Sequence, residues 1–189
     1  MVGNDLISGK DALTSAPAST DELLISDAGT LKRIDASFFQ NTPAWSVHSN
    51  ADQSLTHQTD TLLAFQTELF DTDSAFTNTS SNYKFTVPSG KAGKYFVYAQ
   101  SVAHNDTNHF VVKLYKNGSE FLAGTYFNYA GDQWPDYSSS SLAAVVDLSE
   151  SDYLQIYAKH DRGTGSTSNA KHNIGGLKQT RFEGYKLLG

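Results

Sequence analysis

Short runs in which apolar and polar residues alternate make up most of the chain after residue 43. In one such run, Phe85 and Val87 fall on one face of a strand and Lys84 falls on the other. Alternation with a period of two predicts β-strands, whereas a helix would show a period of 3.6. The pattern predicts about ten strands, over residues 44–49, 54–57, 61–70, 82–87, 94–102, 110–116, 120–129, 140–148, 152–159 and 180–188.

Short turn signals separate many of these runs. Asn117-Gly118 lies between two predicted strands and is typical of a two-residue hairpin loop. Residues 88–93 (PSGKAG) form a second tight connection. Many short strands joined in this way, with almost no helical pattern, predict an all-β fold, an antiparallel jelly-roll sandwich.

Two predicted strands are apolar on both faces. In residues 94–102 and 152–159, aromatic or aliphatic side chains occupy successive positions rather than alternate ones. One face of a sheet in a sandwich normally meets water, so this pattern favours a second surface covered by another subunit. The alternative is a partly exposed aromatic face, which is common. The residues assigned to the subunit interface are Tyr95, Phe96, Tyr98, Tyr153 and Tyr157.

The first part of the chain differs from the rest. Leu23, Leu24 and Ile25 precede Asp27-Ala28-Gly29, which predicts a hairpin with a three-residue loop and Gly29 in the left-handed conformation. A two-stranded hairpin is marginal in water because it has no second layer. Since Asn41-Thr42-Pro43 is a turn or linker signal, the sequence predicts an arm over residues 1–42 and a domain over residues 43–189.

Composition and charge narrow the possible partners. The net charge is −6, with neither a basic stripe nor a block of like charge, so nucleic acid and anionic membranes are not expected partners. The chain has no cysteine, which excludes disulfides and thiolate zinc sites. Neither a Sec signal peptide nor an apolar run of about 20 residues occurs. We therefore expect synthesis in a cytoplasm and no membrane insertion.

Candidate catalytic and metal-binding chemistry is sparse. Three of the histidines, His104, His109 and either His160 or His172, could meet at one end of the domain and bind a metal, but their spacing matches no known ligand motif. Ordinary surface or loop histidines are the favoured interpretation. Asp71 and Asp73 are a weak calcium candidate, and Ser139–Ser141 lacks the nucleophile-elbow pattern. No catalytic residue, metal or cofactor is expected.

All the long loops are predicted at one end of the domain. Successive turns of an antiparallel chain alternate between the two ends, which collects residues 103–109, 130–138 and 160–179 together. Long loops on a rigid sandwich commonly carry binding residues. Trp134 is suited to stacking on a sugar or anchoring a protein contact, although packing against its own loop is an equal alternative. The predicted receptor-binding residues are Trp134, Asp132, Asp136, Tyr137, His104, His109, Arg162 and Lys171.

The order of motifs along the domain resembles the complement C1q/tumour-necrosis-factor-like jelly roll. The matching pieces are Phe85 and Pro88, Gly93-Lys94-Tyr95-Phe96, Lys116-Asn117-Gly118, Leu148, Asp152-Tyr153-Leu154 and Phe182-Glu183-Gly184-Tyr185-Lys186-Leu187. The resemblance implies a homotrimer. It also implies that the chain enters at the end with the short turns, so that the long loops face away from the arm. No collagen-like stalk precedes the domain.

The segment ALTSAPASTDELLISDAGTLKRIDASF is similar to the start of virion proteins of tailed bacteriophages. This resemblance implies a virion protein whose arm, residues 1–42, attaches to other virion proteins and supplies the missing layer of the hairpin. The leading role is a non-enzymatic tail-fibre or tail-tip adhesin that contacts a host surface glycan or protein. The alternatives are a trimeric capsid decoration or cement protein and, less favoured, a glycan-degrading tailspike, which normally carries a long β-helix and a carboxylate pair.

Overall fold

The computed structural model describes residues 11, 13–15, 17–18, 20–79, 81–104, 109–128, 137–161 and 178–188, and the backbone of residues 168–171. The chain divides into two compact units, one formed by residues 1–40 and the other by residues 41–187. No helix in these described ranges is long and apolar enough to cross a membrane.

The N-terminal unit contains an antiparallel hairpin followed by a single 3₁₀ turn. Strand β1 (Glu22–Asp27) pairs with β2 (Thr30–Asp35), and the 3₁₀ turn covers Ala36–Phe39. Asp27 and Thr30 are cross-strand partners, which leaves a two-residue loop with positive φ at Ala28 (48°) and Gly29 (85°). The predicted three-residue loop is therefore wrong, because two successive left-handed residues form the type I′ turn that matches strand twist.

The second unit is built from antiparallel strands. They are β3 (Ala44–His48), β4 (Gln53–Leu55), β5 (Thr61–Leu62), β6 (Thr67–Asp71), β7 (Phe76–Thr79), β8 (Asn82–Thr86), β9 (Gly93–His104), β10 (His109–Lys116), β11 (Ser119–Ala123), β12 (Phe127–Asn128), β13 (Tyr137–Leu148), β14 (Tyr153–Asp161), β15 (Ser168–Lys171) and β16 (Arg181–Lys186).

These strands form two seven-stranded sheets. Sheet I is built around β9, which pairs with β13 on one side and with β15 and β16 on the other; β4 then pairs with β15, β3 with β16, and β6 with β3. In sheet II, β14 pairs with β10, β8 and β5; β10 also pairs with β11 and β12, and β8 with β7. The two sheets pack face to face as a jelly-roll sandwich, which confirms the predicted fold class.

Two predicted strands are each divided in the structure. Residues 61–70 give β5 in sheet II and β6 in sheet I, because the intervening Leu63, Ala64 and Phe65 are buried where the chain crosses between the sheets. Residues 120–129 are interrupted at Gly124, where an added Cβ would lie 2.5 Å from the Ser141 carbonyl oxygen. An apolar run continues through both breaks, so alternation alone does not reveal them.

A single indole ring joins the two sheets at the centre of the core. Trp45 of sheet I is fully buried and stacks on Phe85 of sheet II, with ring centroids 3.8 Å apart and an angle of 11° between the rings. Phe182 packs edge-on against the same indole at 5.3 Å. The cross-strand partner of Trp45 is Gly184, whose missing side chain provides the space that the indole occupies.

Strand β9 has two apolar faces, and only one of them packs in the core. Tyr95 and Val97 are fully buried between the sheets, and the Tyr95 hydroxyl donates to the Lys91 carbonyl oxygen at 2.6 Å. Phe96 and Tyr98 point to the opposite, outer face and are only partly buried. The assignment of Tyr95 to a subunit interface is therefore wrong, because its side chain is enclosed within its own domain.

The short-turn end is held by hydrogen bonds between two turns. Asn117 (φ 52°) and Gly118 (φ 78°) form the predicted two-residue loop between β10 and β11. The Asn117 amide donates to Asp152 Oδ1 at 2.7 Å, Lys116 Nζ lies 2.9 Å from Oδ2, and the Ser149 N–H donates to Oδ2 at 2.9 Å. These contacts, led by the hydrogen bond from Asn117, lower the pKa of Asp152 to about 2. The Asp152 carboxylate therefore stays charged, and keeps these contacts, well below neutral pH.

The substitution Gly184→Ala tests the space under the indole. Its Cβ would lie 2.4 Å from Trp45 Cη2 and 2.8 Å from the Phe96 carbonyl oxygen, so either the indole or the backbone must shift. Overpacking of this kind costs roughly 1–3 kcal/mol. We expect a lower urea midpoint with an unchanged m-value, and Thr79→Ser at an exposed site of β7 should change stability by less than about 0.5 kcal/mol. Equal stability of Gly184→Ala and wild type would contradict this account of the core.

Candidate binding surfaces

Strand register separates the two ends of the domain. His104 is paired with Tyr137, and His109 with both Asp161 and Asn128, so the long connections leave from one end. We refer to it as the long-loop end. At the other end Gly93 is paired with Leu148, and the Lys186 N–H donates to the Pro43 carbonyl oxygen at 3.0 Å. The chain therefore enters the domain at the end opposite the long loops.

The structure places only some of the predicted receptor-binding residues. Trp134, Asp132, Asp136 and Arg162 lie outside the described residues, and of Lys171 only the backbone is described, paired with Val102. His104 and Tyr137 do lie together, with ring centroids 5.0 Å apart across β9 and β13. His109 belongs to the other sheet, so the predicted set does not form one cluster among the residues that can be compared.

A groove that the sequence did not predict lies at the long-loop end of sheet II. It has a volume of about 230 Å³. Its walls come from β10, from β14, from the turn before β5 and from the segment before β12. The lining residues are Gln58, His109, Val111, Tyr126, Lys159, His160 and Asp161. Apart from the histidines, these residues gave no sequence signal, because they come from four separate segments.

One side of this groove is fixed by a turn anchored on β14. Gln58 has a positive φ of 53°, and its N–H donates to the His160 carbonyl oxygen at 2.8 Å. The Gln58 amide also donates to Asp161 Oδ2 at 2.9 Å, and His57 Nδ1 lies 3.7 Å from Asp161 Oδ1. His160 is buried, and its Nε2 lies 2.9 Å from the Leu55 carbonyl oxygen. This wall of the groove is therefore held in place by contacts within the domain itself.

The outer face of sheet II carries a buried cation. Lys113 is only 6% exposed, and its Nζ lies 2.8 Å from Glu120 Oε2 and 3.0 Å from Asp60 Oδ1. Burial lowers the pKa of Lys113, but the hydrogen bonds with Glu120 and Asp60 raise it by more, so the net shift is upward. Burial and a 2.9 Å hydrogen bond to Asp60 raise the pKa of Tyr115 to about 12. This network ties the turn before β5 to sheet II.

The outer face of sheet I is aromatic and uncovered among the described residues of its own domain. Phe96 packs on Tyr185 at 5.5 Å, and the Arg181 guanidinium lies 5.1 Å from the ring centroid of Tyr98. Phe70 is 51% exposed and Val145 is 57% exposed. A shallow groove of about 220 Å³ runs between these side chains, lined by Ala44, Trp45, Ser46, Phe70, Phe96, Tyr98, Glu183, Gly184 and Tyr185.

The tyrosines assigned to a subunit interface do not share one surface. Tyr98 lies on the outer face of sheet I, whereas Tyr153 and Tyr157 belong to β14 of sheet II. Tyr157 packs on Tyr115 at 4.2 Å, next to the Lys113 network, and Lys84 Nζ lies 4.9 Å from the Tyr153 ring centroid. Tyr153 and Tyr157 therefore lie on the face opposite to Phe96 and Tyr98, and their assignment to a subunit interface stays a prediction.

The residues considered as metal ligands are not gathered into one site among the described residues. Both oxygens of Asp71 accept backbone N–H groups, from Asp73 at 3.3 Å and Phe76 at 2.7 Å, and Asp73 lies 3.8 Å from Lys91. His104 and His109 belong to different sheets, and His172 lies outside the described residues. Within the part of the chain that can be described, no group of three or more His, Asp or Glu side chains is placed to hold a metal.

Comparison with known proteins identifies the fold. Neither a protein-family model nor a curated protein matches the chain. Among solved structures it is similar to the globular domain of zebrafish complement 1qA (17% identity, 77% of this chain and 98% of that chain, TM-score 0.53). It is also similar to Eiger TNF from S. frugiperda (15%, 76% and 91%, 0.57) and to murine APRIL (15%, 76% and 97%, 0.53). The domain thus has the C1q/TNF-like jelly-roll fold that its motifs resemble.

The Lys113 network gives a test of how sheet II is closed. Lys113→Met keeps the bulk of the side chain but leaves Asp60 and Glu120 without their shared cation. Because both carboxylates keep some contact with solvent, we expect a loss of about 1–3 kcal/mol rather than the larger cost of a fully buried unpaired charge. Thermal unfolding should show a lower Tm for this variant, whereas Lys178→Met, at an exposed lysine, should unfold like wild type. Unchanged stability of Lys113→Met would mean that the ion pairs contribute nothing net.

Proposed function

We propose that this protein is a non-enzymatic, homotrimeric binding module whose subunits associate through the outer face of sheet I. The observation that carries the proposal is the exposed aromatic and aliphatic surface formed by Phe70, Phe96, Tyr98, Val145 and Tyr185. An uncovered apolar face of this kind marks an association surface more often than a solvent-facing one. The fold agrees with this proposal, because C1q/TNF-like domains are typically trimers.

Charge and geometry favour the same face over that of sheet II. On sheet II, the central Lys113 is held by two carboxylates, and Asp60 also bonds to Tyr115, so a polar network already occupies the centre of that face. On sheet I, Ser46 donates to Glu183 at 3.1 Å and the Arg181 guanidinium lies 5.1 Å from the Tyr98 ring centroid, while the neighbouring rings of Phe70 and Tyr185 stay exposed.

We further propose that the trimer is a bacteriophage virion component, attached by residues 1–42 and displaying its long-loop end to a host surface. Support for this part comes from the sequence of the N-terminal segment and from chain direction, since residue 43 enters at the end opposite the long loops. Leu24 and Leu31 of the hairpin are 61% and 69% exposed, which suits a segment that docks on another protein. Imaging virions with a labelled copy distinguishes a tail-end adhesin from a decoration protein spread over the capsid.

The association face is tested by a matched pair of charge substitutions. Phe70 and Phe121 are 51% and 52% exposed, and only Phe70 lies on the outer face of sheet I. Phe70→Asp should shift the molecule from trimer to monomer in sedimentation velocity at micromolar concentration, because three charges would be buried. Tyr98→Asp should act in the same way. Phe121→Asp should leave the sedimentation coefficient unchanged.

A monomeric wild-type protein at these concentrations would refute the trimer. A trimer that persists in Phe70→Asp and Tyr98→Asp but dissociates in Phe121→Asp would move the interface to the edge of sheet II. Circular dichroism of each variant separates loss of assembly from loss of fold, since exposed positions contribute little to the core.

The arm is tested by removing residues 1–42. The shortened chain keeps Pro43 and every strand of both sheets, so it should fold and assemble as the full chain does. It should fail to incorporate into virions, measured by immunoblot of purified particles, because the docking segment is gone. A full-length chain with Phe121→Asp is the control and should incorporate. Normal incorporation of the shortened chain would show that the domain itself, and not the arm, makes the attachment.

A further inference from the structure

The groove at the long-loop end of sheet II combines a lysine and an imidazole with an exposed ring. Lys159 and Val111 are cross-strand partners, and His109 is paired with Asp161 in the same register. Among the described residues, neither Lys159 nor His109 has an ion-pair or side-chain hydrogen-bond partner. Their donor groups are therefore available to a ligand. In contrast, Lys113 of the same sheet is already paired with Asp60 and Glu120.

Other groups in the groove are suited to hydroxyls. Gln58 and Asp161 are held against each other at 2.9 Å by a turn whose backbone is itself anchored, and they offer amide and carboxylate atoms at fixed positions. Tyr126 is 63% exposed and presents an aromatic ring to the groove, while Val111 forms a buried apolar floor. An aromatic ring beside fixed polar groups is a common arrangement for holding a sugar ring.

The volume of the groove and the charges around it limit the class of ligand that it can bind. The groove volume of about 230 Å³ lies below the roughly 300–1,000 Å³ of sites that enclose drug-sized molecules, so it suits a single sugar residue rather than a long segment. The net charge of the chain is −6, which makes an unpaired lysine and a neighbouring imidazole a distinctive local feature. Asp161 can accept a hydrogen bond from a sugar hydroxyl, a donor that the side chains of an acidic peptide do not offer.

We propose that this groove binds an acidic monosaccharide unit of a surface glycan. Lys159 and His109 hold the carboxylate, Tyr126 packs against the ring, and Gln58 and Asp161 bond to its hydroxyls. The inference rests on the proposed display function and specifies its site and ligand class. The groove lies on sheet II, so assembly through sheet I leaves it accessible, and three copies would raise the apparent affinity by about 10²-fold or more if they bind together.

The test uses the full chain on surfaces coated with hyaluronan, polysialic acid or neutral dextran. We expect binding to one or both acidic polysaccharides and none to dextran. Lys159→Ala and Tyr126→Ala should each weaken binding at least tenfold, and Lys159→Arg should retain most of it. Lys94→Ala removes an exposed lysine at the opposite end of the domain and should bind within about twofold of wild type, a change expected for a remote site.

Several outcomes would overturn the proposal. Equal binding by Lys159→Ala and wild type would place the site elsewhere, and equal binding to dextran would remove the role of charge. Binding of a hexaglutamate peptide without binding of either polysaccharide would replace the sugar by an acidic peptide. Absence of binding to every probe would reject the groove as a glycan site. Sedimentation of the same samples shows separately whether the trimer stands, so the two proposals can fail independently.

Discussion

The contact between Trp45 and Phe85 is the constraint on which the rest of the domain depends. It joins the first strand of sheet I to sheet II at a ring separation of 3.8 Å, and it is possible only because Gly184 has no side chain. Because Trp45 points into the core, it determines which face of β3 is the core face. The same then holds for β16 and β9, since cross-strand partners point to the same face of a sheet. Phe96, Tyr98 and Tyr185 are thereby directed outward on sheet I.

The two outer faces then differ for a physical reason. On sheet II, a lysine with two carboxylates and a tyrosine hydroxyl form a closed polar network that ties down the neighbouring turn. On sheet I, the rings of Phe70, Phe96 and Tyr185 have no comparable cover among the described residues, and Glu183 accepts one hydrogen bond, from Ser46. This difference is why the outer face of sheet I is the one proposed for association.

This asymmetry separates the two proposed activities within a small domain. The groove lies on sheet II, away from the proposed association face, and strand register places it at the end opposite the point where the chain enters. The hairpin of the arm is folded around its own type I′ turn, with ion pairs between Arg33 and Glu22 and between Lys32 and Asp27. The proposed attachment, self-association and ligand contact thus fall on separate surfaces.

Local sequence determined much of the fold, because strand alternation and the Asn117-Gly118 turn depend on neighbouring residues alone. The motif order also indicated the jelly roll. Tertiary structure decided what local patterns leave open: Leu63–Phe65 continues an apolar run while changing sheets, and the four-residue polar strand Phe76–Thr79 is stabilised by its partner β8 rather than by its own pattern. Alternation separates Tyr95 from Phe96 but does not say which faces the core. The groove could not be predicted from local sequence, because Gln58, Tyr126 and Lys159 come from distant segments that meet only in the folded domain.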